Sequence, residues 1–332
     1  MCDAYIDVMT NNDLSDINPD HLVLLGEGVW GRVYDCQDGT VLKTARTQCA
    51  GLGDGREKIE NEFRVLSRLN SIDFFKGLVP EPFGHGEYSA RTNENTAEPA
   101  EIKSISDLFT GGFNLWLRIS KMDGDRLHLQ DVMALGEKDR QILGQNIGKI
   151  LGNMHIAALD AELAPVETET ASDKFRILKD AADQDEELLE VIGILEREIS
   201  KIPDEIKYRP AHNDFNITNL LFKDLEVCAI LDFAETSRNF PEKDLSDIIN
   251  ELPQLKDCII RGYQDCTSFD VDQRRLSVGL IENGLYGALI AARNSDAEGL
   301  VLNKEIIRRN LDRIGHTVQK ENSVPKRGLK HP

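Results

Sequence analysis

His212-Asn213-Asp214-Phe215-Asn216-Ile217-Thr218-Asn219, followed after a short apolar stretch by Asp232-Phe233, is the part of this 332-residue chain on which the rest of the reading depends. Leu220-Leu221-Phe222 and Ala229-Ile230-Leu231 flank the loop as apolar strands. A hairpin built from them would carry Asp214, Asn219 and Asp232 to one end. Phosphoryl transfer asks for such a set: one carboxylate to orient a hydroxyl and accept its proton, and oxygen ligands that hold magnesium against phosphates. Asp214 suits the first role, Asn219 and Asp232 the second. The ordinary alternative is an Asn/Asp-rich turn stabilised by its own side chain to backbone bonds.

Upstream, Leu22-Val23-Leu24-Leu25 and Arg32-Val33-Tyr34-Asp35-Cys36 read as strands around Gly26-Glu27-Gly28-Val29-Trp30-Gly31, with Val41-Leu42-Lys43 as a third strand after the Asp38-Gly39 turn. Gly26, Gly28 and Gly31, closed by Val33, form a glycine loop at a hairpin tip, where bare backbone can approach phosphate oxygens. A dinucleotide-binding fingerprint would instead open a helix after one strand. Lys43 ends the third strand, where a lysine is ordinarily a solvated surface charge. From Arg56 to Asn70, however, Ile59, Phe63, Leu66 and Leu69 mark one helical stripe that also holds Glu62. A carboxylate on an apolar face is costly unless paired, and Lys43 is its obvious partner; the alternative is an edge glutamate reaching water.

Leu78-Val79-Pro80-Glu81-Pro82 reads as a turn and 84–112 as a long inserted loop. Leu115 to Met122 is the next strand, ending at Asp123-Gly124-Asp125; Lys121 and Met122 would then belong to a connector whose backbone faces an adenine ring, or simply to a strand end. A long buried helix follows, marked by Ile142, Leu143, Ile147, Ile150, Leu151 and Met154, in which His155 reads as a satisfied core histidine. Residues 172–202 form one or two amphipathic helices broken at Asp183-Gln184-Asp185. Further helices are expected near 244–251, with Asp244 as cap, and near 254–265, 271–293 and 303–318.

The formal net charge of −19 argues against a nucleic-acid surface and would suit a cationic partner. No run approaches the ~18–20 apolar residues of a membrane span, and no secretion signal opens the chain, so the expected location is cytoplasmic with no membrane contact. The six cysteines lack CxxC or histidine spacing, which points to reduced thiols. A small basic tail, Lys326-Arg327 and Lys330, reads as a solvated terminus.

Taken in order, these signals resemble the protein-kinase-like superfamily and, within it, the aminoglycoside and choline phosphotransferase group. The resemblance runs from about Leu22 to Asp244 by motif and to about residue 318 by helical pattern. It implies an α+β, two-lobed fold: a small antiparallel-sheet N-lobe with one helix over 21–122 and a larger, mainly helical C-lobe over 123–319, between a lead-in (1–20) and a tail (320–332). It further implies that Lys43, held by Glu62, contacts the α- and β-phosphates of ATP or another nucleoside triphosphate. Asp214 would be the catalytic base, Asn219 and Asp232 would ligate Mg2+, and His212 would support the loop.

Asn213 departs from the glycine frequent in this group and from the arginine of protein kinases, and Ala234 replaces the glycine that protein kinases carry after Asp-Phe. The implied activity is phosphorylation of a hydroxyl on a small molecule, aminoglycoside-like or choline-like, by a monomer or weak dimer. A protein kinase and a catalytically silent nucleotide-binding regulator are the alternatives. Helices over 172–202 and beyond 254 would wall the acceptor site, to which Glu235, Asp265 and Glu282 would lend acidity.

Overall fold

The structure, a computed structural model, describes residues 14–27, 31–49, 53–88, 105–109, 112–160, 171–182, 185–207 and 209–316. Gly28, most of the expected lead-in, the Asp183-Gln184 part of the helix break and the basic tail lie outside the described residues.

The first strands are β1 (Val23–Glu27), β2 (Gly31–Asp35) and β3 (Thr40–Arg46), followed by the two-residue pair β4 (Gln48–Cys49) and β5 (Gly53–Asp54). Helix α1 (Gly55–Leu69) leads to β6 (Pro82–Glu87) and β7 (Phe113–Ser120). Strands β1, β2, β3, β7 and β6 make one five-stranded sheet in that order, antiparallel throughout. The β-branched and apolar residues of β3 put it near the centre, where both of its faces are covered. Tyr34, Leu42 and Trp116 fill one core cluster with Leu14, Ile17, Leu108 and Phe109. Helix α1 buries Ile59, Glu62, Leu66 and Leu69 as its spacing predicts; Val65 is buried as well, and Phe63, expected on that stripe, is only half-buried because it lies at the stripe's edge.

Residues 84–112, expected as one loop, contain structure at both ends. Gly84 to Glu87 belong to β6, and Ile105–Phe109 form a 3-10 turn whose Leu108 and Phe109 join that core. Pro82, Gly84 and Gly86 depress strand propensity, yet β6 is an edge strand, where such residues are tolerated.

Beyond β7 come α2 (Leu129–Ala134), α3 (Glu137–Asp160), α4 (Ala171–Ala182), α5 (Glu186–Ser200) and the single turn α6 (Asp204–Lys207). Next are β8 (Arg209–Ala211), β9 (Leu220–Lys223), β10 (Glu226–Ile230) and β11 (Ser237–Asn239), with β9 paired to β10 and β11 to β8. The chain closes with α7 (Glu242–Glu251), α8 (Lys256–Cys266), α9 (Gln273–Arg293) and α10 (Ala297–Arg313). Asp185 caps α5 by accepting the N–H of Leu188 at 3.0 Å, which fixes the break expected there. Asp244 does not cap α7: the helix starts at Glu242, and Asp244 lies in its first turn, fully buried.

Two compact units can be distinguished. The described residues of Met1–Thr168 with Asp204–Val271 hold the five-stranded sheet, α1 to α3, both small strand pairs after α6, and α7 and α8. Those of Glu169–Pro203 with Asp272–Pro332 hold α4, α5, α9 and α10. In the second unit α9 packs on α10 and on α5. Among the described residues no helix is long and apolar enough to cross a membrane.

Candidate active site

Strand β3 and helix α1 bring Lys43 to Glu62, as the helical stripe required. The Lys43 ammonium lies 2.7 Å and 2.9 Å from the two carboxylate oxygens of Glu62, whose side chain is only 2% exposed. Asp232 Oδ1 is a third contact at 3.3 Å. Burial works against the Lys43 charge, but the two carboxylates outweigh it and raise its pKa further, so the lysine stays a cation. Lys43 in turn holds the Asp232 carboxyl below the usual carboxylate range, against the effect of burial.

The hairpin of β9 and β10 places the remaining groups. Asp214 receives the Asn216 side-chain amide on Oδ1 at 2.7 Å and the Asn219 amide on Oδ2 at 2.8 Å. Asn219 Nδ2 also donates to the Asp214 carbonyl at 2.9 Å. With both amide hydrogens spent on Asp214, Asn219 keeps its carbonyl oxygen as the atom that can meet a cation. Each Asp214 oxygen retains a lone pair for an incoming hydroxyl. Burial pushes the Asp214 carboxyl upward, with the Asp232 charge acting in the same sense.

His212 holds this loop on two sides. Its Nδ1 accepts the N–H of Asp214 at 3.3 Å, so Nε2 carries the proton and donates to the Leu231 carbonyl at 3.0 Å. The Asp214 loop and the residue before Asp232 are thereby joined through one ring. Asn213 adopts a left-handed backbone conformation, φ +62°, which asparagine tolerates. Its side chain donates to the Glu235 carbonyl at 3.1 Å and to Ser237 Oγ at 2.8 Å, and accepts from Asn239 at 2.8 Å. The departure from glycine is therefore a bonded one.

Two contributors were not singled out from the sequence. Asn216 orients Asp214 and also accepts the N–H groups of Thr218 and Asn219, capping the turn Ile217–Asn219 that presents the second asparagine. Its signal was the spacing of an Asn cap before that turn. Asp244 accepts the backbone N–H groups of His212 and Asn213 and His155 Nε2; only its burial, invisible in sequence, separates this from helix capping.

The glycines divide. A Cβ at Gly31 would lie 2.0 Å from the Thr44 carbonyl, so β2 requires glycine there to lie against β3. At Gly26, opposite Val33 and beside a bulge, a Cβ would meet nothing within 4 Å. Among the described residues no neighbour accounts for its bareness. At the strand end read from the sequence as a connector, Lys121 donates its N–H to the Gly39 carbonyl and its ammonium to Asp35. Gly124, at φ +144°, then packs against Leu221 and Cys228, and Asp125 pairs with Phe222, anchoring the connector to the β9–β10 hairpin. Of the three expected acidic contacts to the acceptor, Glu235 pairs with Lys58 and Asp265 is exposed on α8. Glu282 is buried on α9 in the other unit.

Among the described residues no group of three or more His, Cys, Asp or Glu converges on a metal position. Magnesium in phosphoryl-transfer sites takes one or two protein oxygens and completes its shell with phosphates and water. Asn219 and the Asp232 carboxylate, 45% exposed, fit that requirement.

Residues 21–275 match the model of a family described as phosphotransferase enzymes. No curated protein matches. Among solved structures, an aminoglycoside 2'-phosphotransferase-IIIa in its GDP complex superposes with a TM-score of 0.60 at 16% identity, covering 90% of this chain and 95% of that one. An APH(2")-IIa bound to gentamicin gives 0.60 at 17% identity, covering 89% and 93%. An amicoumacin kinase with AMP-PNP and Ca2+ gives 0.63 at 16% identity, covering 90% of both chains. The fold is thus protein-kinase-like, with an antiparallel sheet and one helix preceding a mainly helical remainder.

Proposed function

The chain belongs to the phosphotransferase enzyme family, and from that premise we propose that it transfers the terminal phosphoryl group of ATP, or of another nucleoside triphosphate, to a hydroxyl of a small molecule. The observation that carries this reading is the pair of groups just before and just after the β9–β10 hairpin: Asp214, fixed by two asparagine amides, and Asp232, fixed by Lys43. One carboxylate is free to take a proton while the other keeps its negative charge beside a cation.

Asp214 orients the acceptor hydroxyl and takes its proton as the new O–P bond forms. The bond from the terminal phosphorus to the bridging oxygen breaks, and the diphosphate leaves. Lys43, kept charged and aimed by Glu62, offsets charge on the phosphates. Magnesium, held by Asn219 and Asp232, would neutralise the phosphate oxygens when bound. Lys121 and Met122 would meet the base, and Gly26 would leave backbone open to the phosphates.

A small acceptor is favoured over a protein by the shortness of the segment after Asp232. Helix α7 begins at Glu242, and Ser237–Asn239 are already paired with β8, so no extended platform for a peptide follows the metal aspartate. The net charge of −19 suits a cationic acceptor. Neighbours of this fold solved with gentamicin or kanamycin support an amino-sugar-like compound; a choline-like acceptor is the alternative that the net charge alone suits. The test is nucleoside diphosphate release with ATP and magnesium across a panel of aminoglycosides, choline and other amino alcohols. Stimulation by one or more of them is expected; release stimulated by a protein substrate alone would overturn the choice of acceptor.

A further inference from the structure

Asn61 sits one residue before Glu62 on α1 and is 4% exposed. Its side-chain amide donates to the carbonyls of Ala234 and Thr236, both at 2.9 Å. The orientation of that amide is determined, because Arg64 donates to its oxygen at 2.7 Å and leaves the nitrogen for the two carbonyls. Lys58, one helical turn earlier, pairs with Glu235 between them. Helix α1 therefore grips three consecutive residues directly after Asp232-Phe233.

Asp232 needs such a grip. Its backbone lies at φ +61°, a conformation costing an ordinary residue of order 1 kcal/mol that persists only where neighbours enforce it. Its carboxylate also accepts the N–H of Ala234, the residue whose carbonyl Asn61 holds. A continuous line thus runs from the Asn61 amide, through the Ala234 backbone, to the oxygens of Asp232. On the other side of Asn61, Glu62 accepts the N–H of Phe233. Asn61 and Glu62 fix the flanks of Asp232 from one helix, and the contacts of Asn61 do not pass through Lys43.

We propose that Asn61 is a positioning residue for Asp232, holding the aspartate in the orientation that binds the metal–nucleotide complex. The proposal rests on the reading of Asp232 as a magnesium ligand. It also gives α1 a second role, since the helix that aims Lys43 through Glu62 sets the metal aspartate through Asn61, and both phosphate-facing charges move with one element. No phosphorylated loop is needed to seat this helix, because its contacts to 234–236 are built into the chain.

The test is calorimetric binding of AMP-PNP, with and without magnesium, to the wild-type protein, Asn61→Asp and Asn61→Ala. The readout is the ratio of the two dissociation constants, which a merely structural role would leave unchanged even if thermal stability fell. Outer residues that orient metal ligands typically change metal affinity by about 10–100-fold. The expected result is a loss of about tenfold in the magnesium enhancement for Asn61→Asp, whose carboxylate would face two carbonyls, with magnesium-free affinity retained. Asn61→Ala carries the same comparison should the aspartate variant fold poorly. A wild-type ratio in the folded variants would overturn the role of Asn61. Absence of magnesium enhancement in the wild-type protein would instead bring down the underlying reading of Asp232.

Discussion

The carboxylate of Asp244, fully buried on α7, receives the backbone N–H of His212 at 2.8 Å and thereby fixes the start of the loop that carries Asp214. Its other oxygen takes the N–H of Asn213 at 2.7 Å, and His155, itself bonded to the Tyr263 hydroxyl, supports it from α3. Burial alone would raise its pKa, yet His155, His212 and these hydrogen bonds bring it below the usual range. Asp244→Asn places an amide where only acceptors are wanted. A loss of about 3 kcal/mol in stability, with activity falling further than the unfolded fraction explains, is expected from denaturant melts and kinetics.

Lys43 and Glu62 should behave as one unit. With either removed, the other is left as a buried charge whose remaining partner is misplaced or absent. Lys43→Ala, Glu62→Ala and the double variant should therefore give a coupling energy of about 1–3 kcal/mol in kcat/KM. Additive effects would mean that the contact at 2.7 Å does not govern phosphate placement.

Asn216→Ala removes one of the two donors that orient Asp214 and the cap of the turn carrying Asn219. A hydrogen bond to a charged group is worth about 1.5–3 kcal/mol, so kcat should drop by about tenfold or more. Magnesium-free nucleotide affinity should remain near its original value. Steady-state kinetics alongside nucleotide titration checks the pair of outcomes; an unaltered kcat would remove Asn216 from the base assembly.

In the other unit, buried Glu198 is surrounded by Lys201, Arg274 and His316. Burial acts to raise its pKa, but these partners outweigh it and lower the value from 4.5 to about 2. A depressed folded pKa stabilises the protein above the unfolded value, and the contribution is lost as pH falls from about 4.5 through about 2. Glu198→Gln should then cost about 2 kcal/mol at neutral pH, and its melting curve should converge with the wild type on acidification. A difference that stays constant with pH would show that the carboxylate charge is not what matters there.

The large features were legible in the sequence because each has a period or a chemical contradiction attached to it. Helix α1 showed itself by its stripe, and Glu62 by being a charge on that stripe, from which its partner followed. The β9–β10 hairpin was readable from two apolar runs that follow an Asn/Asp loop. What escaped depended on contacts between distant residues. Asp244 has the spacing of a helix cap, and only the folding of α7 beneath His212 turns it inward. Strand β6 was hidden because Pro82, Gly84 and Gly86 carry no strand signal of their own; the pairing supplied by β7 makes the strand. Gly31 belongs to the phosphate-loop pattern, yet the close pass of Thr44 requires it regardless of ligand. The two carbonyls held by Asn61 likewise lie far along the chain, beyond the reach of local pattern.

The central claim is that Asp214 drives phosphoryl transfer from a magnesium–nucleotide complex to a small-molecule hydroxyl. Its most direct test is mass spectrometry of the low-molecular-weight fraction and of the proteins of a lysate. Each is incubated with labelled ATP, magnesium and either the wild-type chain or Asp214→Asn, and an added aminoglycoside panel is run in parallel. The amide keeps the shape of the carboxylate but cannot accept the proton. A phosphate monoester on a small molecule is expected with the wild-type protein, and almost none with a variant that still binds AMP-PNP. Equal product from Asp214→Asn, or label that enters proteins and no small molecule, would contradict it.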